Sequence, residues 1–79
     1  MDNRQKYNYI FRSELGLEED FDEEKIRAYK TENWDSVGHM SLITAIEDAF
    51  DIMFDPEDIL ALDSYVRGIE ILKKYDVVI

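Results

Sequence analysis

Apolar residues near the start of the chain recur three and four positions apart: Tyr7, Ile10, Phe11 and Leu15, with Arg4, Lys6, Arg12 and Glu14 between and around them. That interval places the apolar set on one face of a helix, so a helix is predicted over roughly Asp2 to Leu15. Gly16 follows at once, where a helix end favours a residue free to take positive φ, and Leu17 can fold back over the last turn. From Leu17 to Asp35 the periodicity is lost. An acidic run, Glu18 to Glu24, is interrupted only by Phe21, and Ile26, Tyr29 and Trp34 are scattered apolar anchors. This stretch reads as an ordered loop pinned by a few side chains, with room for a helical turn or two between Asp22 and Tyr29. A loop of this length is usually functional or carries structure of its own.

Periodicity returns in Leu42, Ile43, Ile46, Ala49 and Phe50, with His39 at the head of the stripe. Asp35 is a natural cap, so a second helix is predicted from Asp35 and Ser36 to about Phe50. The run Asp55-Pro56-Glu57-Asp58 announces a short third helix, with a cap, proline at the first helical position and acids in the first turn; it should end near Leu62. Asp63 or Ser64 then caps a last helix in which Tyr65, Ile69 and Leu72 share a face, and Lys73 and Lys74 complement its negative end. The apolar terminus Val77-Val78-Ile79 is expected to pack back onto the domain. The fold class is all-α, with three main helices and one short one.

Seventy-nine residues fit a single domain, 1–79, with one small core. A content of 46% apolar residues is too high for a disordered acidic tail, so the chain should fold. Cysteine is absent and His39 is the only histidine, which excludes a disulfide framework, a thiolate nucleophile and the usual zinc arrangements. No apolar run has the length of a membrane span and the N-terminus does not read as a signal peptide, so a cytoplasmic monomer is expected.

The position of the charge matters more than its sum of −10. Between Thr31 and Val66 there is no Lys or Arg, while Glu32, Asp35, Glu47, Asp48, Asp51, Asp55, Glu57, Asp58 and Asp63 are all acidic. Such a surface disfavours nucleic acid, whose binders must offer cations to phosphates. It favours proteins with basic patches, because complementary fields speed encounter.

Ser36 and His39 would meet on one helical face, a pairing that suggests nucleophilic catalysis. A triad also needs an orienting carboxylate and an oxyanion site, and neither is signalled. The simpler reading is a partly buried histidine beginning an apolar stripe, and an enzyme is not expected. The carboxylates lack the spacing of a calcium loop and read as a solvated surface.

The run from Asn33 to Ile52 resembles the phosphopantetheine attachment segment of acyl carrier proteins. That family's signature is Asp-Ser-Leu opening an amphipathic helix that closes with acids, Phe and a β-branched residue. Asp35 and Ser36 match it, Val37 replaces the usual Leu, and Leu42, Ala45, Ile46, Glu47, Asp48, Phe50 and Ile52 fall in the expected places. The resemblance extends through the first helix and the short Asp55–Leu62 helix. It implies an acyl-carrier-like four-helix bundle with a long loop between helices one and two. It also implies a covalent 4′-phosphopantetheine on Ser36, beside Asp35, whose thiol carries acyl groups as thioesters. The partners implied are a phosphopantetheinyl transferase and acyl-loading and acyl-using enzymes with basic patches. A phosphodiester on Ser36 would sit at a helix N-terminus, where unpaired N–H groups favour an anion.

Two features depart from the pattern: the apolar terminus Val77-Val78-Ile79, where a surface tail should be polar, and the early part of the second helix. Typical carriers place acids early on the second helix, whereas Gly38 and Ser41 stand here, and the expected docking face is Val37, Met40 and Thr44 with Glu47 and Asp48 beyond. A specialised pathway is therefore expected rather than general fatty-acid synthesis. Gly38 costs about 1 kcal/mol of helix propensity relative to Ala, and reads as a residue simply tolerated near a helix start before it reads as a point of close approach for a partner or the prosthetic arm. Trp34 reads as a loop anchor before it reads as a stacking partner for the phosphate. An aminoacyl or peptidyl carrier remains an alternative with the same arm, and an unmodified acidic adaptor for a basic protein is an alternative of another class.

Overall fold

The computed structural model describes residues 1–79 and contains four α-helices, α1 (Asn3–Leu15), α2 (Ser36–Phe50), α3 (Pro56–Ala61) and α4 (Tyr65–Lys73). No helix is long and apolar enough to cross a membrane. The ends of α1 follow directly from its sequence. Asp2 and Gln5 form a reciprocal capping box, with Gln5 N–H donating to Asp2 at 2.8 Å and Asp2 N–H to Gln5 at 2.9 Å, so two amides that the helix leaves unpaired are satisfied. Gly16 ends the helix at φ 66°, and Leu17 N–H bonds back to the Arg12 carbonyl at 3.0 Å.

The segment between α1 and α2 departs from expectation. The helical turn or two anticipated over Asp22–Tyr29 shrinks to one turn of 3-10 helix, Glu23–Lys25, and the chain then extends. Arg27 forms an antiparallel bridge with Ser64, flanked by Ala28 N–H to the Asp63 carbonyl at 2.8 Å and Tyr65 N–H to the Ile26 carbonyl at 3.1 Å. Backbone pairing to the α3–α4 junction thus holds the loop in place of helical bonds.

Fifteen buried apolar residues form one core. At its centre Tyr7, Phe11, Trp34 and Tyr65 pack ring against ring, with centroids 4.8 Å apart for Tyr7–Phe11 and Tyr7–Tyr65, and 5.6 Å for Phe11–Trp34. Aromatic clusters of this kind supply a large share of a small core's burial energy. α4 buries Tyr65, Gly68, Ile71 and Leu72, so Ile71 takes the core position that Ile69 was expected to hold, and Ile69 is only partly covered. Gly68 is required at this crossing: a Cβ there would lie 2.1 Å from the Tyr7 hydroxyl. That hydroxyl donates to the Tyr65 carbonyl at 2.5 Å. Burial raises the Tyr7 phenol well above its ordinary range and, with Glu23 nearby, pushes Tyr65 up to about 12.

The C-terminus does return to the domain: Val77 is buried and Ile79 packs against the core. Asp58 of α3 is the only buried charged side chain. It accepts from Lys74 at 2.7 Å and from Tyr75 at 2.5 Å, which satisfies a carboxylate that would otherwise be costly to cover.

Candidate functional site

The first turn of α2 is fixed from three directions. Asp35 has an extended backbone, its Oδ1 accepts Gly38 N–H at 2.9 Å and its carbonyl accepts His39 N–H at 2.8 Å. The amides of Ser36 and Val37, at the first and second helical positions, make no hydrogen bond within the protein. Ser36 itself is exposed. Its hydroxyl therefore stands in solvent next to two unpaired N–H donors at the positive end of a fifteen-residue helix, an arrangement that suits an anionic substituent.

Gly38 is explained by the chain's own backbone. A Cβ at this position would stand 1.9 Å from the Asn33 carbonyl oxygen, so the expectation of a merely tolerated glycine is corrected. The approach is held from the other side, because Asn33 takes a left-handed φ of 71° and its Nδ2 donates to the Leu15 carbonyl at 3.0 Å. The loop end is thereby strapped between the C-terminus of α1 and the first turn of α2.

Trp34 and His39 anchor this turn to the core. Trp34 is fully buried, and its Nε1–H donates to His39 Nδ1 at 2.9 Å. Since Nδ1 accepts, the imidazole proton lies on Nε2, which donates to the Ile59 carbonyl of α3 at 2.7 Å. Both ring nitrogens are thus committed, and neither bonds Ser36. The Ser36–His39 pairing suggested by helical spacing is not formed, and Trp34 serves as the loop anchor.

The remaining site residues sit on one exposed face of α2, as their spacing of three and four requires. Val37 is 76% exposed and Met40 49%, and Ser41, Thr44 and Asp48 are also exposed. Glu47 differs: it is half-buried and its Oε2 accepts Phe54 N–H at 2.9 Å, which ties down the turn after α2. Two exposed side chains escaped the sequence reading as site residues. Leu60, on α3 directly after the carbonyl that accepts the His39 hydrogen bond, is 84% exposed. Tyr29 carries its hydroxyl to within 3.4 Å of Ser36 Oγ.

No protein-family model, curated protein or solved structure matches this chain.

Tyr29 is held in the left-handed region at φ 63°, a conformation that costs a side-chain-bearing residue roughly 1–2 kcal/mol. Its N–H bonds the Trp34 carbonyl at 2.8 Å, while Arg27 N–H bonds Thr31 Oγ1 at 2.8 Å, so the whole turn is braced. The site as a whole offers the Ser36 hydroxyl at the helix start, two unpaired amides, one phenol and a largely neutral helix face.

Proposed function

We propose that this chain is a carrier protein of the acyl-carrier type, which holds acyl intermediates as thioesters on a 4′-phosphopantetheine esterified to Ser36. The observation that carries this reading is the exposed Ser36 hydroxyl at the first position of α2, in an Asp35-capped turn with two amides left unpaired. The Asp-Ser sequence opening an amphipathic helix, in an all-α chain of four helices, supports it.

In this reading the arm arrives from coenzyme A on a phosphopantetheinyl transferase. Ser36 Oγ bonds the phosphorus that bears pantetheine, the bond from that phosphorus to the adenosine bisphosphate leaving group breaks, and a base on the transferase takes the seryl proton. The Ser36 and Val37 amides then face the new phosphodiester, which shares the positive helix end with the Asp35 carboxylate. The bound arm supplies the thiol that this cysteine-free chain lacks. The protein's own part is to present the arm on a rigid turn, fixed by Asn33, Trp34 and His39, and to offer a docking face.

That face is Val37, Met40 and Thr44, with Asp48 at its far end, and it is less acidic than the chain as a whole. Partner enzymes would meet apolar anchors near the arm and use basic patches against the acids further along. This favours a specialised biosynthetic pathway.

Incubation with coenzyme A and a broad-specificity transferase should add one phosphopantetheine to the intact mass. Ser36→Ala should abolish the gain while leaving the helical circular dichroism unchanged. A wild-type protein whose mass never changes would instead identify an unmodified acidic adaptor, and modification of the Ala variant would move the site elsewhere.

A further inference from the structure

We infer that Tyr29 is a positioning residue for the modification of Ser36, donating its phenolic O–H to Ser36 Oγ so that the seryl proton is turned outward toward the incoming base. The inference rests on the carrier reading and adds a residue to it.

Tyr29 is held neither by burial nor by the preference of its backbone. Its side chain is 70% exposed, so burial does not hold the ring where it is. Its left-handed backbone would suit Gly or Asn better than a bulky aromatic. A residue chosen only to shape the turn would not be a tyrosine. Yet the braced turn from Arg27 to Trp34 aims this ring across seven positions of sequence to end at Ser36 Oγ.

The contact at 3.4 Å is longer than a full hydrogen bond. Contacts of this kind are often long in a free protein and tighten when the reacting partners assemble. The donor direction follows from the chemistry on both sides of the reaction. Before transfer, Oγ must give up its proton to an external base, so that proton should point away from the protein and Oγ should accept from Tyr29. Afterwards Oγ carries no proton, and the phosphodiester that includes it offers only acceptor oxygens to Tyr29. Tyr29 as donor serves both states, whereas Ser36 as donor would hide the proton that has to leave.

Two variants test this in steady-state kinetics of arm transfer from coenzyme A. Tyr29→Phe keeps the ring and removes the hydroxyl: kcat should fall about fivefold, the worth of one modest hydrogen bond, with KM and melting temperature unchanged. Tyr29→Gly removes the ring and relieves the left-handed backbone, so kcat should fall at least as far while the protein melts higher. A purely structural tyrosine would give the opposite coupling, with transfer rate following stability. An unchanged kcat in Tyr29→Phe, or a loss confined to KM, overturns the role of Tyr29 while the carrier reading stands. A wild-type chain that the transferase never modifies overturns both.

Discussion

Gly38 and Asn33 meet so closely that the position of one fixes the identity of the other: the Asn33 carbonyl oxygen lies 1.9 Å from where a Cβ on residue 38 would be. Because the obstacle is a backbone atom, no rotamer change relieves it, and moving it would disturb the Asn33–Leu15 bond as well. Gly38→Ala should therefore destabilise the fold by about 1–3 kcal/mol, even though Ala gains about 1 kcal/mol in helix propensity. Urea unfolding measures the difference, with Ser41→Ala as an exposed control expected within about 0.5 kcal/mol of wild type. A Gly38→Ala variant as stable as wild type would show that the loop end yields freely.

Asp58 should contribute to the acid limb of stability. Hydrogen bonds from Lys74 and then Tyr75 hold its carboxyl below the ordinary aspartate value of 3.8. A carboxylate whose folded pKa is depressed contributes stability that is complete above its unfolded pKa and is lost as pH falls through the folded value. Asp58→Asn should thus lower the melting temperature at pH 7, and the gap to wild type should close below about pH 4. A constant gap down to about pH 2 would mean that shape, not charge, is what Asn fails to replace.

Much of this architecture is legible in the sequence because it is written in local rules. Gly16 and Pro56 by their backbones and Asp35 by its capping carboxylate each mark a helix boundary, and Tyr7, Ile10, Phe11 and Leu15 mark a core face by spacing alone. What the sequence hides is decided by distant partners. The bridge between Arg27 and Ser64 replaces the helical turns expected after Asp22. The reason for Gly38 lies five residues back, in a carbonyl whose direction depends on a left-handed asparagine. Ile71 rather than Ile69 reaches the core because Gly68 lets α4 lie close against Tyr7. Near the candidate site, the Asp35 cap and the helix start at Ser36 could be read from local chemistry, while the attachment role of Ser36 is what the resemblance implies. Tyr29 could not, since no local rule anticipates a tyrosine at positive φ.

The concentration of acids carries its own consequence. Of the nine acids between Thr31 and Val66, only Asp58 is in an ion pair, so the others add repulsion to the folded state. Counter-ions should relieve it. Moderate salt or millimolar divalent cations should raise the melting temperature of the wild type. Insensitivity to both would show that the acids are far enough apart, and well enough solvated, not to oppose folding.

On the proposed carrier reading, partner choice should follow the composition of the exposed face of α2. Enzymes that recognise acidic carriers through basic patches would find Ser41 and Thr44 where charge is wanted, and position 38 cannot supply it, since any side chain there meets the Asn33 carbonyl. Ser41 and Thr44 are both exposed, so Ser41→Glu with Thr44→Glu adds two charges without disturbing the core. If each new rim contact is worth about 0.5–0.8 kcal/mol, loading of the modified protein by a general malonyl transferase should speed up about tenfold, mostly through faster association. The gain should shrink in high salt, where surface attraction is screened. Met40→Ala makes the converse test. It removes an apolar anchor that is half exposed, which should leave the general enzyme's rate nearly unchanged but weaken the native partner, because buried apolar anchors carry more binding energy than rim charges. A wild type loaded as fast as the double variant would remove the basis for a specialised carrier and return this chain to general acyl transfer.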